Sequence, residues 1–264
     1  MYIDRLKAEK NFKEYVNNYN SEDGKIKLKI EHTYRVSQIC EKIARNLKLS
    51  EEDINLAYLT GLLHDIGRFE QIKRYNTFVD KDSVDHAKLG VKILFEENEI
   101  RNFIEDDIED DLIKKVITNH NVFSLPENLT YRETLFAKIL RDADKIDIFR
   151  VNVTEPILDV YGYSEEEILN SIVTEEVLES FKRNETVLRR LKKTPVDSVV
   201  SHIALIFGLY FPESIKLTIE QGYFYKLINF KSKIEETNKQ FDEVRKCIEM
   251  YLNDNFRGCV TNLE

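Results

Sequence analysis

The chain has 264 residues, 42% of them hydrophobic, enough material for one large core or two smaller ones, so a folded globular protein is the default. With only 8 glycines and 4 prolines there is too little turn punctuation for many short strands, which excludes an all-β architecture and favours helices. Lys and Arg number 39 against 48 Asp and Glu, a formal charge of -9, and that field disfavours nucleic-acid polymers and anionic membranes as partners.

The first residues, MYIDRLKAEKNFKEYV, scatter charge through what would have to be the apolar core of a signal peptide. Residues 1–25 are expected to form an N-terminal helical segment. Cys40, Cys247 and Cys259 are odd in number and far apart, with neither a zinc-type pair nor a disulfide framework, which fits a reducing, cytoplasmic setting. From Ile26 to Leu47 the residues Val36, Ile39 and Ile43 recur at helical spacing, and His32 falls on the same stripe. Ser50 with Glu51, Glu52 and Asp53 reads as an N-cap and acidic first turn for a helix over Ile54–Ile66 that Gly67 terminates, with His64 and Asp65 in its last turn.

Residues Arg68–Lys81 show no sustained period and are expected to form a loop over that helix end. A helix beginning near Asp82-Ser83 then runs through Ala87, Val91 and Leu94, and another covers Asp111–His120; His86 and His120 lie on or beside their stripes. Thr134–Phe149 forms a helix with Phe136, Ile139, Leu140 and Ala143 on its core face, and Asp144 one turn beyond Leu140. Beyond Tyr161 the pattern predicts helices over Ser164–Arg190, Asp197–Tyr210, Glu213–Leu227 and Lys233–Asn255. The apolar run Val196–Phe211 is interrupted by Asp197, Ser198, Ser201 and His202 and reads as a buried core helix, too short for a bilayer.

Four of the five histidines lie in the first half of the chain, each near the apolar face of a different predicted helix. An unpartnered buried polar group costs roughly 1–3 kcal/mol, so convergent polar groups on apolar faces should share a ligand, and a metal ion would satisfy them together. Imidazole and carboxylate without thiolate suit divalent metals such as iron, manganese, cobalt or zinc over a structural zinc knot. Bound metal can lower the pKa of water and polarise a phosphoryl oxygen, which makes phosphate-ester hydrolysis the natural reaction. On the residues alone, Asp142 and Asp147 compete with Asp144 for the distal acid.

His32, then Leu63-His64-Asp65-Ile66-Gly67, then Ala143-Asp144-Lys145 resemble, in order and spacing, the H, HD and D motifs of the HD-domain phosphohydrolase superfamily. The resemblance covers residues 26–150 and implies an all-α HD-domain bundle; residues 151–264 match no known pattern, and their amphipathic spacing predicts a C-terminal helical extension packed on it. It implies that His32, His64, Asp65 and Asp144 ligate one metal. His86, in Ser83-Val84-Asp85-His86-Ala87, and His120, in Thr118-Asn119-His120-Asn121, resemble the extra histidines of the dinuclear branches, where Asp65 would bridge two ions.

The expected cofactor is therefore one or two divalent ions, Fe, Mn, Co, Zn, Ni or Mg. The expected reaction is hydrolysis of a nucleotide or other small phosphate ester through a metal-bound hydroxide, with Arg68 or Lys145 neutralising phosphate and Arg35 a weaker candidate. A di-iron oxygenase could use the same ligands and would be set apart by iron-specific, oxygen-dependent turnover. A catalytically silent nucleotide-binding regulatory module is the third reading, and the complete set His32, His64, Asp65 and Asp144 argues against it. The C-terminal helices could cap the pocket or form a homo-oligomer interface.

Overall fold

A computed structural model of the protein describes residues 3–256; Cys259 lies outside the described residues. Every regular element among the described residues is helical, and none of these helices is long and apolar enough to cross a membrane. The chain divides into two compact units, Met1–Asp144 and Lys145–Glu264.

In the first unit α1 (Arg5–Val16) starts where Asp4 accepts the Lys7 N–H, and it buries Ala8, Phe12 and Val16. Helix α2 (Gly24–Asn46) is capped by Asp23 and turns His32, Val36, Ile39 and Ile43 inward. Next comes α3 (Glu51–Leu63), capped by Ser50 and buried almost all round from Ile54 onward, as a helix at the centre of a bundle must be. It crosses α2 at Gly61, where a Cβ would lie 2.7 Å from the Ser37 Cα, so only glycine admits this approach.

The expected helix over Ile54–Ile66 and loop over Arg68–Lys81 are both corrected. The chain breaks at His64-Asp65 and restarts as α4 (Ile66–Tyr75), which Asn76 ends in the left-handed conformation at φ 52°. Gly67 does not terminate a helix: a Cβ there would lie 2.3 Å from the His86 carbonyl oxygen and 2.6 Å from the Gly90 nitrogen. The glycine is there to let α5 (His86–Val91) lie against α4. That helix starts later than the Asp82-Ser83 expected, because Asp80–Asp82 forms a 3₁₀ turn and Asp85 caps the Ala87 and Lys88 N–H groups. A π turn (Lys92–Glu96), α6 (Ile100–Phe103), α7 (Asp110–Thr118) and α8 (Tyr131–Thr154) follow. Phe12 packs edge-on against Tyr34 and Phe69, with ring centroids 5.3 and 5.9 Å away.

In the second unit α8 continues to Thr154, followed by α9 (Ile157–Tyr161), α10 (Glu165–Leu169), α11 (Glu175–Lys182), α12 (Pro195–Ile203), α13 (Pro212–Gln221), α14 (Tyr223–Ile228) and α15 (Glu235–Asn255). The single helix expected over Ser164–Arg190 is interrupted after Leu169 because distant side chains satisfy the backbone there. Gln240 bonds both the N–H and the C=O of Val173, at 3.0 and 2.9 Å, and Asp197 accepts the Thr174 N–H at 2.7 Å. The helix expected over Asp197–Tyr210 ends at Ile203 and tightens into a 3₁₀ turn, Ala204–Gly208. The one expected over Glu213–Leu227 is divided by Gly222 at φ 73°. Aromatic rings knit this core: Phe207 meets Phe181 and Tyr251, both at 4.9 Å.

Candidate metal centre

Six residues named from the sequence come together in the first unit. His32 sits on α2, His64 at the C-cap of α3, Asp65 at the N-cap of α4, His86 at the first position of α5, His120 just past the end of α7, and Asp144 on α8. The four imidazoles form an arc, His32–His64–His120–His86, with successive centroids 5.4, 5.2 and 4.9 Å apart. Asp65 lies inside the arc. Its Oδ2 faces His32 Nε2 at 3.7 Å and His64 Nε2 at 3.5 Å, while Oδ1 faces His86 Nε2 at 3.4 Å and His120 Nε2 at 3.7 Å. Asp144, on α8, closes the first pair, 3.1 Å from His32 Nε2.

The proton positions follow from the partners. His64 Nδ1 stands 2.7 Å from the Gly61 carbonyl and His120 Nδ1 2.7 Å from the Ile117 carbonyl. A carbonyl only accepts, so each Nδ1 carries a proton and each ring turns its Nε2 towards Asp65. His86 Nδ1 donates likewise to Asp80 at 2.7 Å. Burial, which outweighs the opposing Asp80 hydrogen bond, brings the His86 pKa down to about 4, so this ring is neutral at pH 7.

The result is electrostatically unfinished. His86 Nε2 and His120 Nε2 are 3.0 Å apart, and His64 Nε2 is buried with no hydrogen-bond partner. Imidazole nitrogens gathered this closely around a carboxylate are a donor set that a divalent cation can take. His32, His64 and Asp144 form one group whose ligand atoms lie within 4.8 Å of one another, and His64, Asp65 and His120 form a second. The residues therefore fit a metal.

Burial tends to raise the Asp65 carboxyl, but the Lys29 ammonium and then His64 overcome this and hold it well below the usual carboxylate range. Asp144 is also held low, burial being outweighed by its hydrogen bond to His32. Lys29, which the sequence reading passed over, donates to Asp65 Oδ2 at 2.7 Å. Its signal was its place one turn before His32 on α2, obscured by Lys25 and Lys27, which make the segment look like a solvated face.

Arg68 stands 3.7 Å from Asp65, and its Nη1 donates to Gln71 at 2.8 Å and to the Phe78 carbonyl and Asp80 at 2.7 Å. Arg35 pairs with Glu31 across one helical turn at 3.5 Å. Lys145 belongs to the second unit, where its Nζ donates to the Gly208 carbonyl at 2.8 Å. Arg141 is buried and donates to the carbonyls of Asn119, His120, Val122 and Phe123, which fixes the turn carrying His120. Nothing local in the sequence distinguished it from an ordinary surface arginine of α8.

Comparison with the curated proteins and with the solved structures gave no match. The HD domain family matches residues 30–148, a span that includes all six clustered residues. Residues 30–148 are thus similar to the HD domain, a family that is mostly metal-dependent phosphohydrolases.

Proposed function

We propose that the protein is a metal-dependent phosphohydrolase acting on a nucleotide or another small phosphate ester, with two divalent ions in the His–Asp arc. The observation that carries this reading is the division of Asp65, each carboxylate oxygen facing its own pair of Nε2 atoms. His32, His64 and Asp144 would hold one ion, His86 and His120 the other, with Asp65 shared between them. Divalent metal so held lowers the pKa of coordinated water and neutralises charge developing on a phosphoryl group.

The chain's own residues supply the rest. Lys29 holds Asp65 ionised and oriented, and Arg68, beside the same carboxylate, adds positive charge where an anionic substrate must approach. The Lys145 Nζ donates to the Gly208 carbonyl within its own unit. With a net charge of -9, the protein's long-range field favours a small anion met by local cations over a nucleic-acid polymer.

The test combines elemental analysis of purified wild type and Asp65→Ala with a phosphate-release screen over nucleotides and simple phosphate esters, run with manganese and without oxygen. About two equivalents in wild type, lost in the variant together with phosphate release, is the expected result. Absence of metal under every loading condition would refute the reading, and turnover that demands iron and oxygen would replace hydrolysis with oxygenation.

A further inference from the structure

Three of the histidines are oriented by two different means. His64 and His120 each give Nδ1–H to a backbone carbonyl three residues earlier, at the end of their own helix. His86 is the first residue of α5 and gives its Nδ1–H to a side chain, Asp80 Oδ2. Asp80 lies on a 3₁₀ turn, and its carboxylate is 29% exposed.

Asp80 is itself held. Its Oδ1 accepts from Arg68 Nη1 at 2.7 Å and Gln71 Nε2 at 2.9 Å. Gln71 is fully buried, and its amide also reaches Ser83 Oγ and the Val84 carbonyl at 2.9 Å, while Arg68 takes the Phe78 carbonyl. Two side chains of α4 thus pin the segment from Phe78 to Val84, and that segment presents one carboxylate to one imidazole. A carboxylate accepting Nδ1–H fixes the tautomer, aims Nε2 and raises its basicity towards a metal.

We propose that Asp80 is the positioning residue for one half of the centre: through His86 it sets how tightly the position among His86, His120 and Asp65 holds a divalent cation, leaving the position at His32, His64 and Asp144 unchanged. This rests on the two-ion reading above. It gives the residues between α4 and α5 a task in metal retention, with Arg68 and Gln71 acting through Asp80.

The experiment loads wild type, Asp80→Asn and Asp80→Ala with Mn²⁺, counts bound metal by elemental analysis, and measures each step by competition with a chelator. Wild type is expected to hold two equivalents. Asp80→Ala should bind the first as wild type does and the second about 10–100-fold more weakly, and Asp80→Asn, which still accepts the Nδ1–H, should recover part of the loss. Circular dichroism and melting confirm that each variant is folded, and Asp80→Asn decides the matter if the alanine variant is not. Two equivalents bound by the folded variants as tightly as by wild type would overturn the inference while leaving the hydrolase reading intact. So would equal weakening of both equivalents in a folded variant. A wild type that never exceeds one equivalent removes the two-ion reading, and this inference with it.

Discussion

Replacing Gly67 by alanine is the sharpest test of how the centre is assembled. The added methyl would sit 2.3 Å from the His86 carbonyl oxygen and 2.6 Å from the Gly90 nitrogen, both backbone atoms that no rotamer change can move. Reaching a tolerable separation of about 3.2 Å requires α4 and α5 to part by roughly 0.9 Å, a shift carried directly to His86. Overpacking against backbone of this kind costs about 2–3 kcal/mol, which corresponds to a fall in Tm of roughly 4–12 °C for a unit of this size. Gly24→Ala is the control, because no atom lies within 4 Å of a Cβ at that position, and it should melt at or slightly above wild type. Thermal unfolding followed by circular dichroism reads both, and metal content reads the consequence at His86. A Gly67→Ala protein that melts with wild type and retains all its metal would show that α5 does not depend on this close approach.

Arg141→Met removes the donors from four carbonyls around His120, so hydrogen exchange across residues 119–123 should quicken and stability should fall by roughly 3 kcal/mol; unchanged exchange there would contradict the clamp. Asp197→Ala strands the N–H groups of Thr174, Lys193 and Thr194, now bonded at 2.7, 2.8 and 2.9 Å, and should cost about 3 kcal/mol or more in urea denaturation, with Asp197→Asn milder. Burial first, and then the charge of Lys192, depress the His202 pKa to about 3. Between pH 6.5 and about 3 the unfolded chain therefore binds a proton that the folded chain does not, so this group favours folding above 6.5 and loses that contribution as pH falls. Urea melts of wild type and His202→Gln from pH 7 to 5 should show the shallower decline in the variant, and parallel slopes would count against a neutral His202 in the folded chain.

The His–Asp cluster was readable because each member sits on or beside an apolar stripe whose period is visible in a single segment. His32 follows the spacing of Val36, Ile39 and Ile43, and Asp144 follows that of Leu140. What escaped the sequence depends on partners that have no local trace. Lys29 finds its acid 36 residues away, and Arg141 finds its carbonyls about 20 residues upstream. Gly67 was misread because two physical demands select the same residue: a helix end needs freedom in φ, whereas here a neighbouring helix needs the space of a missing Cβ. The break inside the expected Ser164–Arg190 helix is likewise imposed from afar, by Gln240 and Asp197. Amphipathic spacing records which face is buried, and it is silent about which distant side chain captures a backbone N–H.

The carbonyls of Gly61 and Ile117, which hold His64 and His120, also bear on how such a site withstands mutation. A peptide oxygen is present whatever amino acid the codon specifies, so these two ring orientations are inherited with the helix ends themselves and survive substitution of the residues that provide them. His86 has no such insurance, since a single base change at the Asp80 codon can remove its partner. Drift among descendants of this chain would therefore disturb the orientation of His86 before that of His64 or His120.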